Sequence, residues 1–356
     1  MAEEPLVWTE ARDQEVLIDA KDLRRLSTNL YQAVGVPAGD AELMADLQVE
    51  TDLRGVHSHG TRALPRYVNQ IRTGNTNAKP EIRVEKEGPS YAVVEGDHCM
   101  GHLASVRAMQ LVIQKASQTG VAIATAINSR HFGPAACYAT MALEHGMVGF
   151  SVSSSSRGLA PFGGTDRLLG NHPVAWAIPA GEERPLVLDM ATGVSAWGRV
   201  GTKRMYGQKL TMDWVLDKDG KPTDDPAEGY ALLPFGGVKA SGFTLVMDVL
   251  SGVLPFGIST ITRGSEYDGQ KMASHFFQAI SIEHFTPLDE FKADVDQMIR
   301  MVRESRRKEE VDRIYLPGEI EWLKKEAWQN TGIPLHHQHV GSLEKTAKDL
   351  GVPIPW

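Results

Sequence analysis

The stretch Val121–Pro134, VAIATAINSRHFGP, decides the reading of this chain. Its first seven residues form a short apolar run of the kind that a strand covered on both faces requires. The run ends in the polar loop NSRHFGP, where Pro134 can open a helix at the position that tolerates proline. A buried strand running into a helix start is an α/β pattern. In such folds ligands gather at this junction, because helix N-termini present free N–H groups and partial positive charge.

The same texture extends on both sides. Downstream, Met147–Val152 is a second buried strand. From Ser153 to Gly237 the chain is dense in Gly, Ser and Pro, with SSSSRGLAPFGG, LGNHPVAWAIP, LVLDMATG and LPFGG, which predicts loops gathered round a site. Gly242–Leu254 returns to helix, Ser274–Ile282 to strand and Leu288–Lys308 to a charged helix. YLPGEIEWLKKEAW is a further helix. Upstream, Leu103–Ala116 is an amphipathic helix, and Glu81–Glu85 and Tyr91–Glu95 are strands split by Gly88 and Pro89. Lys21–Ala33 and Asp40–Leu53, the latter capped by Asp40, are helices, and a third starts at Leu64. The first fifteen residues read as a loose arm. No internal repeat is present.

Composition excludes several classes. The 356 residues suit two domains, with 42% hydrophobic and 23% charged residues as in ordinary globular proteins. Net charge is −8 and the longest basic block is Arg306–Lys308, which disfavours nucleic acid as a partner. No apolar run reaches membrane-spanning length. The acidic start MAEEPLVWTEARDQE has no signal-peptide core. Only Cys99 and Cys137 are present, in no CxxC pair, so a thiolate metal site and a disulfide framework are not expected. A reducing, cytoplasmic setting is the expectation.

Four segments carry candidate chemistry. In Arg54–Gly60, RGVHSHG, Ser58 beside a histidine is a possible proton-handling pair, since neutral imidazole both donates and accepts. The same residues suit a polar turn between helices with a capping serine. His131, at the strand–helix junction, can polarise a carbonyl or merely cap the helix. Asp189 follows the apolar LVL and is expected near-buried, where a carboxylate needs a partner and a histidine is the natural one. The alternative is a turn-forming Asp at a strand end. Gly236, Gly237 and Lys239 at a helix entrance could hold a phosphate. Their spacing is not that of a Walker A loop, and no G-x-G-x-x-G occurs anywhere. The His-rich Leu335–His339 is read as a solvated turn, and no metal site is expected.

Together these segments resemble the malate/L-lactate dehydrogenase family, which also holds ureidoglycolate, sulfolactate and diketogulonate oxidoreductases and a cyclic-imine reductase. The likeness runs from about Asp40 to Glu319 in collinear order: DLRGVHSHG, NSRHFG, PFGG with LLGNHP, VLDMATG, PFGGVKASG, HFFQAI and YLPGE. The resemblance implies an α/β fold with a non-Rossmann nicotinamide-binding domain on a mixed or parallel sheet, residues 119–299. It also implies a mainly helical domain built from residues 1–118 with 300–356. It implies NAD or NADP as cofactor, hydride transfer between it and a small 2-oxo or 2-hydroxy acid, and a homodimer with its site near the subunit contact. Ser58, His59 and Asp189 match a proton-relay set. Other members assign acid–base work to the position of His131; His59 ranks first here for proton transfer, with His131 orienting the carbonyl. Ser155, Asn171, Pro173, Met190, Ala191, Gly237 and Lys239 match or neighbour cofactor-contacting positions, and Arg62, Arg66 and His57 are the candidates for substrate.

Three departures concern the substrate. Ala63 stands where many members place an arginine before the Leu-Pro pair. Arg62 is one residue earlier, about 100° round a helix, and Arg66 is about a turn later. Asn171-His172-Pro173 replaces Thr-Asn-Pro, and Arg199 replaces a lysine. An acid whose anionic group is placed or sized differently is the implication. Lys203 and Arg204 are candidates for meeting a 2′-phosphate. Competing readings are a reductase of a cyclic imino acid, a metal-dependent hydrolase using His57, His59 and His131, and a catalytically silent binding protein.

Overall fold

The computed structural model describes residues 12–262 and 272–356. Its centre is a seven-stranded sheet in the order Arg83–Gly88, Tyr91–Glu95, Val121–Ser129, Ala273–Ser281, Met147–Ser153, Val174–Ile178, Leu186–Met190. Only Tyr91–Glu95 and Val121–Ser129 run parallel; every other neighbouring pair is antiparallel. A parallel pair needs a crossover, and the helix Gly101–Thr119 supplies it. That helix covers the sheet with Leu103, Val112 and Ala116. The sheet is therefore mixed, and the boundary drawn at residues 118 and 119 falls between two of its neighbouring strands.

Helices from both ends of the chain share one core. Leu23, Leu26 and Leu30 from Ala20–Ala33, Met44 and Val49 from Ala38–Leu53, and Tyr67 from Leu64–Arg72 pack with Trp328, Leu343 and Ala347. The last three belong to Glu319–Thr331 and His337–Leu350. A ribbon pairs Glu15–Ile18 with Ile333–His336 and ties the two ends together. A smaller five-stranded sheet holds Arg157–Leu159, Leu169–Gly170 and Ala231–Leu232 among its strands. Its separate core of Leu159, Leu169, Val200, Leu210, Val215 and Leu232 includes the helix Trp197–Met205 through Val200.

Several local expectations need correction. Of the arm, residues 1–11 lie outside the described residues, and Glu15 already begins a strand. Helix Ala38–Leu53 starts two residues before Asp40, with Pro37 as its cap. Pro134 does not open a long helix: Ala136–Ala139 is a single turn that passes into the tighter Thr140–His145. Leu335–His339 is no solvated turn. Pairing with Glu15–Ile18 and the start of His337–Leu350 leave His336 and His339 buried.

Candidate active site

The segment between Ala38–Leu53 and Leu64–Arg72 folds into a tight turn, with the amides of His59 and Gly60 donating to Val56 O. Ser58 Oγ lies 2.8 Å from His59 Nδ1. The second imidazole arrives from the Val121–Ser129 strand. Asn128 leaves that strand with φ +50°, a left-handed conformation that asparagine tolerates. The backbone of Arg130–His131 is then pinned by Arg130 N to Cys99 O and by Gly101 N to His131 O. A side chain at 101 would collide with Arg130 O, so glycine lets the loop approach the helix start. The rings of His59 and His131 stack, centroids 5.5 Å apart and 25° from parallel.

The two rings differ in what holds them. His131 Nδ1 accepts from the Gly133 amide at 3.2 Å and from the Tyr67 hydroxyl. With two donors aimed at Nδ1, the neutral ring carries its proton on Nε2. Among the described residues His59 Nδ1 faces only a serine hydroxyl, which can donate or accept, so its tautomer is free to change. Burial pushes the His59 pKa down to about 4, and the positive charges of Arg62 and Arg66 add to the fall. Burial, then His59 and Arg66, push His131 well below its ordinary value. Both imidazoles are neutral at pH 7.

The carboxylate that braces a histidine is Asp52. It is fully buried at the end of Ala38–Leu53, and Oδ1 lies 2.9 Å from His57 Nδ1. Oδ2 accepts from Thr61 N at 2.8 Å and Thr61 Oγ1 at 2.6 Å. His339 Nε2 stands 3.1 Å from the same Thr61 oxygen. Burial pushes the Asp52 carboxyl up, but the hydrogen bond and charge of His57 with those of His339 and Thr61 outweigh it, and the net pKa falls. Asp189, the expected brace, accepts among the described residues only from the Ala136 amide, at 3.1 Å. Its strand is an edge of the sheet, so its side chain is exposed rather than near-buried. Surrounding protein pushes its carboxyl up to about 6, with Glu321 adding and the Ala136 amide opposing. Its open face moderates the shift.

The expected substrate groups separate. Arg62 is engaged: Nη1 donates to Thr202 Oγ1 and Nη2 to Gly198 O, each at 2.7 Å. It fastens helix Trp197–Met205 to the turn, and a Cβ at Gly198 would lie 2.7 Å from Ser58 Cβ. His57 is turned to Asp52 and stacks on Trp328 at 5.7 Å. Arg66 is exposed beside the Tyr67 ring, with no ion pair to it among the described residues. Its charge reaches both imidazoles.

The expected cofactor residues form one wall. Ser155 Oγ accepts from Asn171 N at 2.7 Å, and Asn171 Oδ1 from Gly193 N at 2.6 Å. Pro173 O accepts from Ser153 N, and Met190 pairs with Val174. Phe235 N donates to Thr192 O, which brings Pro234–Gly237 against Ala191–Gly193. Gly237, at φ +62°, precedes the eleven-residue helix Val238–Asp248, whose first turn offers the exposed Lys239. An unpartnered hydroxyl fits a bound polar cofactor, and a glycine keeps the wall closely packed. Buried Ser195 Oγ has no partner among the described residues, and a Cβ on Gly193 would lie 2.8 Å from Asn171 Oδ1.

Asp52, Thr61, Tyr67 and Ser195 escape the sequence reading, and His339 enters it only within a string read as a solvated turn. Asp52 alone left a signal, as the first residue of DLRGVHSHG. Among the described residues no group of three or more His, Cys, Asp or Glu side chains could hold a metal ion, and no helix is long and apolar enough to cross a membrane.

Residues 18–344 match the family model for malate/L-lactate dehydrogenase. Malate dehydrogenase of Pyrococcus horikoshii is 42% identical over 90% of this chain and 91% of its own. Ureidoglycolate dehydrogenase (NAD(+)) of Escherichia coli K12 is 31% identical over 89% and 92%. The solved sulfolactate dehydrogenase of Methanocaldococcus jannaschii superposes with a TM-score of 0.86 at 32% identity, covering 95% of this chain and 98% of that one. The chain therefore belongs to the malate/L-lactate dehydrogenase family of oxidoreductases.

Proposed function

We propose that this protein is a nicotinamide-dependent dehydrogenase of a small 2-hydroxy acid, with His59 moving the hydroxyl proton. The observation that carries this is the asymmetry of the stacked imidazoles. His131 is fixed with its proton on Nε2 by Tyr67 and Gly133, so it donates a hydrogen bond and orients the substrate oxygen. Among the described residues His59 Nδ1 has only Ser58 as a hydrogen-bond partner, so the ring can take a proton in oxidation and return it in reduction. Low dielectric and two neighbouring guanidinium groups keep it neutral until an anion arrives. A carboxylate bound at Arg66 offsets that positive field and raises the basicity of His59 when substrate is present.

Ser155, Asn171, Pro173, Met190, Ala191, Gly237 and Lys239, with Ser195, would hold the cofactor. Lys239 and the helix behind Gly237 suit its phosphates. When bound, the nicotinamide supplies or removes the hydride. The names of the malate, sulfolactate and ureidoglycolate relatives support a substrate with a second polar or anionic group. Asp189, which accepts from the Ala136 amide, keeps its place in the proposed relay with a carboxyl raised above the ordinary range. A homodimer in the cytoplasm completes the proposal.

Absorbance of NADH and NADPH, followed against a panel of oxo and cyclic imino acids, tests it. Turnover of an oxo acid is expected. Turnover of imino acids alone, or of nothing, refutes it. His59→Ala should lower kcat about 10²–10⁴-fold while cofactor affinity holds; unchanged kcat would remove His59 from the mechanism.

A further inference from the structure

Within the turn that carries Ser58 and His59, the neighbours on both sides are tied to one buried carboxylate. His57 Nδ1 reaches Asp52 Oδ1, and Thr61 reaches Oδ2 through both its amide and its hydroxyl. Gly60 lies so close that any side chain there would collide with the carboxylate. Its carbonyl is taken by Gln48 Nε2 at 3.1 Å, and Gln48 Oε1 by the Tyr31 hydroxyl at 2.6 Å. Residues 57, 60 and 61 are thus fixed, and the two residues between, Ser58 and His59, have their backbone set by what flanks them. From outside, His339 on helix His337–Leu350 reaches the Thr61 hydroxyl, and Trp328 on Glu319–Thr331 stacks on His57.

We propose that Asp52 is a positioning residue for the dehydrogenase reaction, holding His59 at its place opposite His131 through Thr61 and His57. The proposal rests on the function proposed above. A buried carboxylate that accepts three hydrogen bonds has one orientation, so it transmits little freedom to the turn. The His59–His131 stack spans two separate chain segments, and a shift of about 1 Å in such a site can cost 100-fold in rate. Among the described residues the hydrogen-bond partners of Asp52, His57 and Thr61, lie outside the cofactor wall, so the effect falls on proton transfer and not on cofactor binding.

Three full-length variants test this. Asp52→Asn removes the charge and turns one acceptor into a donor that faces donors. Thr61→Val keeps the shape but removes the hydroxyl shared by Asp52 and His339, and Thr61→Ser restores it. Concentrations are normalised to sites that bind NADH, by its fluorescence, so misfolded chains do not count. For Thr61→Val we expect kcat to fall about 10–100-fold, with KM for cofactor within twofold and recovery in Thr61→Ser; Asp52→Asn should fall at least as far. Independently of turnover, amide hydrogen exchange in residues 56–61 should quicken in Thr61→Val and return in Thr61→Ser, while the cofactor wall stays protected. Slow exchange in that turn, kcat within twofold of wild type, or a loss that Thr61→Ser fails to restore would overturn the assignment. A wild-type enzyme that turns over no oxo acid would instead sink the function reading, and the exchange experiment would still decide whether Asp52 holds the turn.

Discussion

Lowering the pH from about 6 to 5 should destabilise this protein steeply, because its buried histidines are kept neutral. His102, His275 and His339 are 1%, 0% and 3% exposed. Burial pushes them to about 4, about 3 and about 4. In the unfolded chain each takes its proton near 6.5. Between those values the unfolded state binds nearly one more proton per histidine than the folded state, so stability present above about pH 6.5 drains away as pH falls towards 4. Each such proton is worth about 1.4 kcal/mol per pH unit, and three give about 4 kcal/mol per unit. Asp189 opposes this by at most one proton, since its carboxyl is raised in the folded state. These groups alone give a slope of about 3–4 kcal/mol per unit, with His59 and His131 acting in the same direction, which would remove a large part of a typical 5–15 kcal/mol stability. Urea unfolding at a series of pH values measures the slope. His102→Phe isolates one group: both ring nitrogens of His102 lack partners among the described residues, so the substitution unpairs nothing and should lower the slope by about 1.4 kcal/mol per unit. A wild-type slope below one proton between pH 6 and 5 would refute the claim that these rings are held neutral.

Two further outcomes follow from the site. Arg66→Met should raise KM for the acid substrate by about 10-fold or more, as a charged hydrogen bond of roughly 1.5–3 kcal/mol is lost, and should shift the acid limb of kcat/KM upward because one positive neighbour of His59 has gone; an unchanged KM would point to another cation. Lys239→Ala should weaken cofactor binding, measured by fluorescence titration, increasingly so at low salt where its charge is least screened; equal affinity at all ionic strengths would exclude a phosphate contact.

What local sequence could reveal was governed by reach. Val121–Ser129 and the place of His131 were legible because an apolar run and its polar end are contiguous features. Arg62 stood among the substrate candidates, yet its guanidinium points to helix Trp197–Met205. Its partners there, about 140 residues away, leave no local trace. Asp189 was read as a near-buried brace because LVL precedes it, but burial depends on the neighbouring strand, and this one is an edge. His336 and His339 were misjudged for the same reason, since a polar string looks solvated until a distant strand and helix cover it. The parallel pairing of Tyr91–Glu95 was likewise invisible, since register between strands is not written in either strand alone.

The contact between Thr61 and His339, 278 residues apart, has a consequence for synthesis. Ribosomes deliver the Ser58–His59 turn well before an outer support of that turn, which is made 278 residues later. Contacts of such sequence separation form slowly, because loop-closure entropy must be overcome before they are rewarded. A nascent chain arrested before helix His337–Leu350 would carry every residue proposed to touch substrate and still lack an outer support of the Ser58–His59 turn, so competence should appear abruptly, as translation passes that helix.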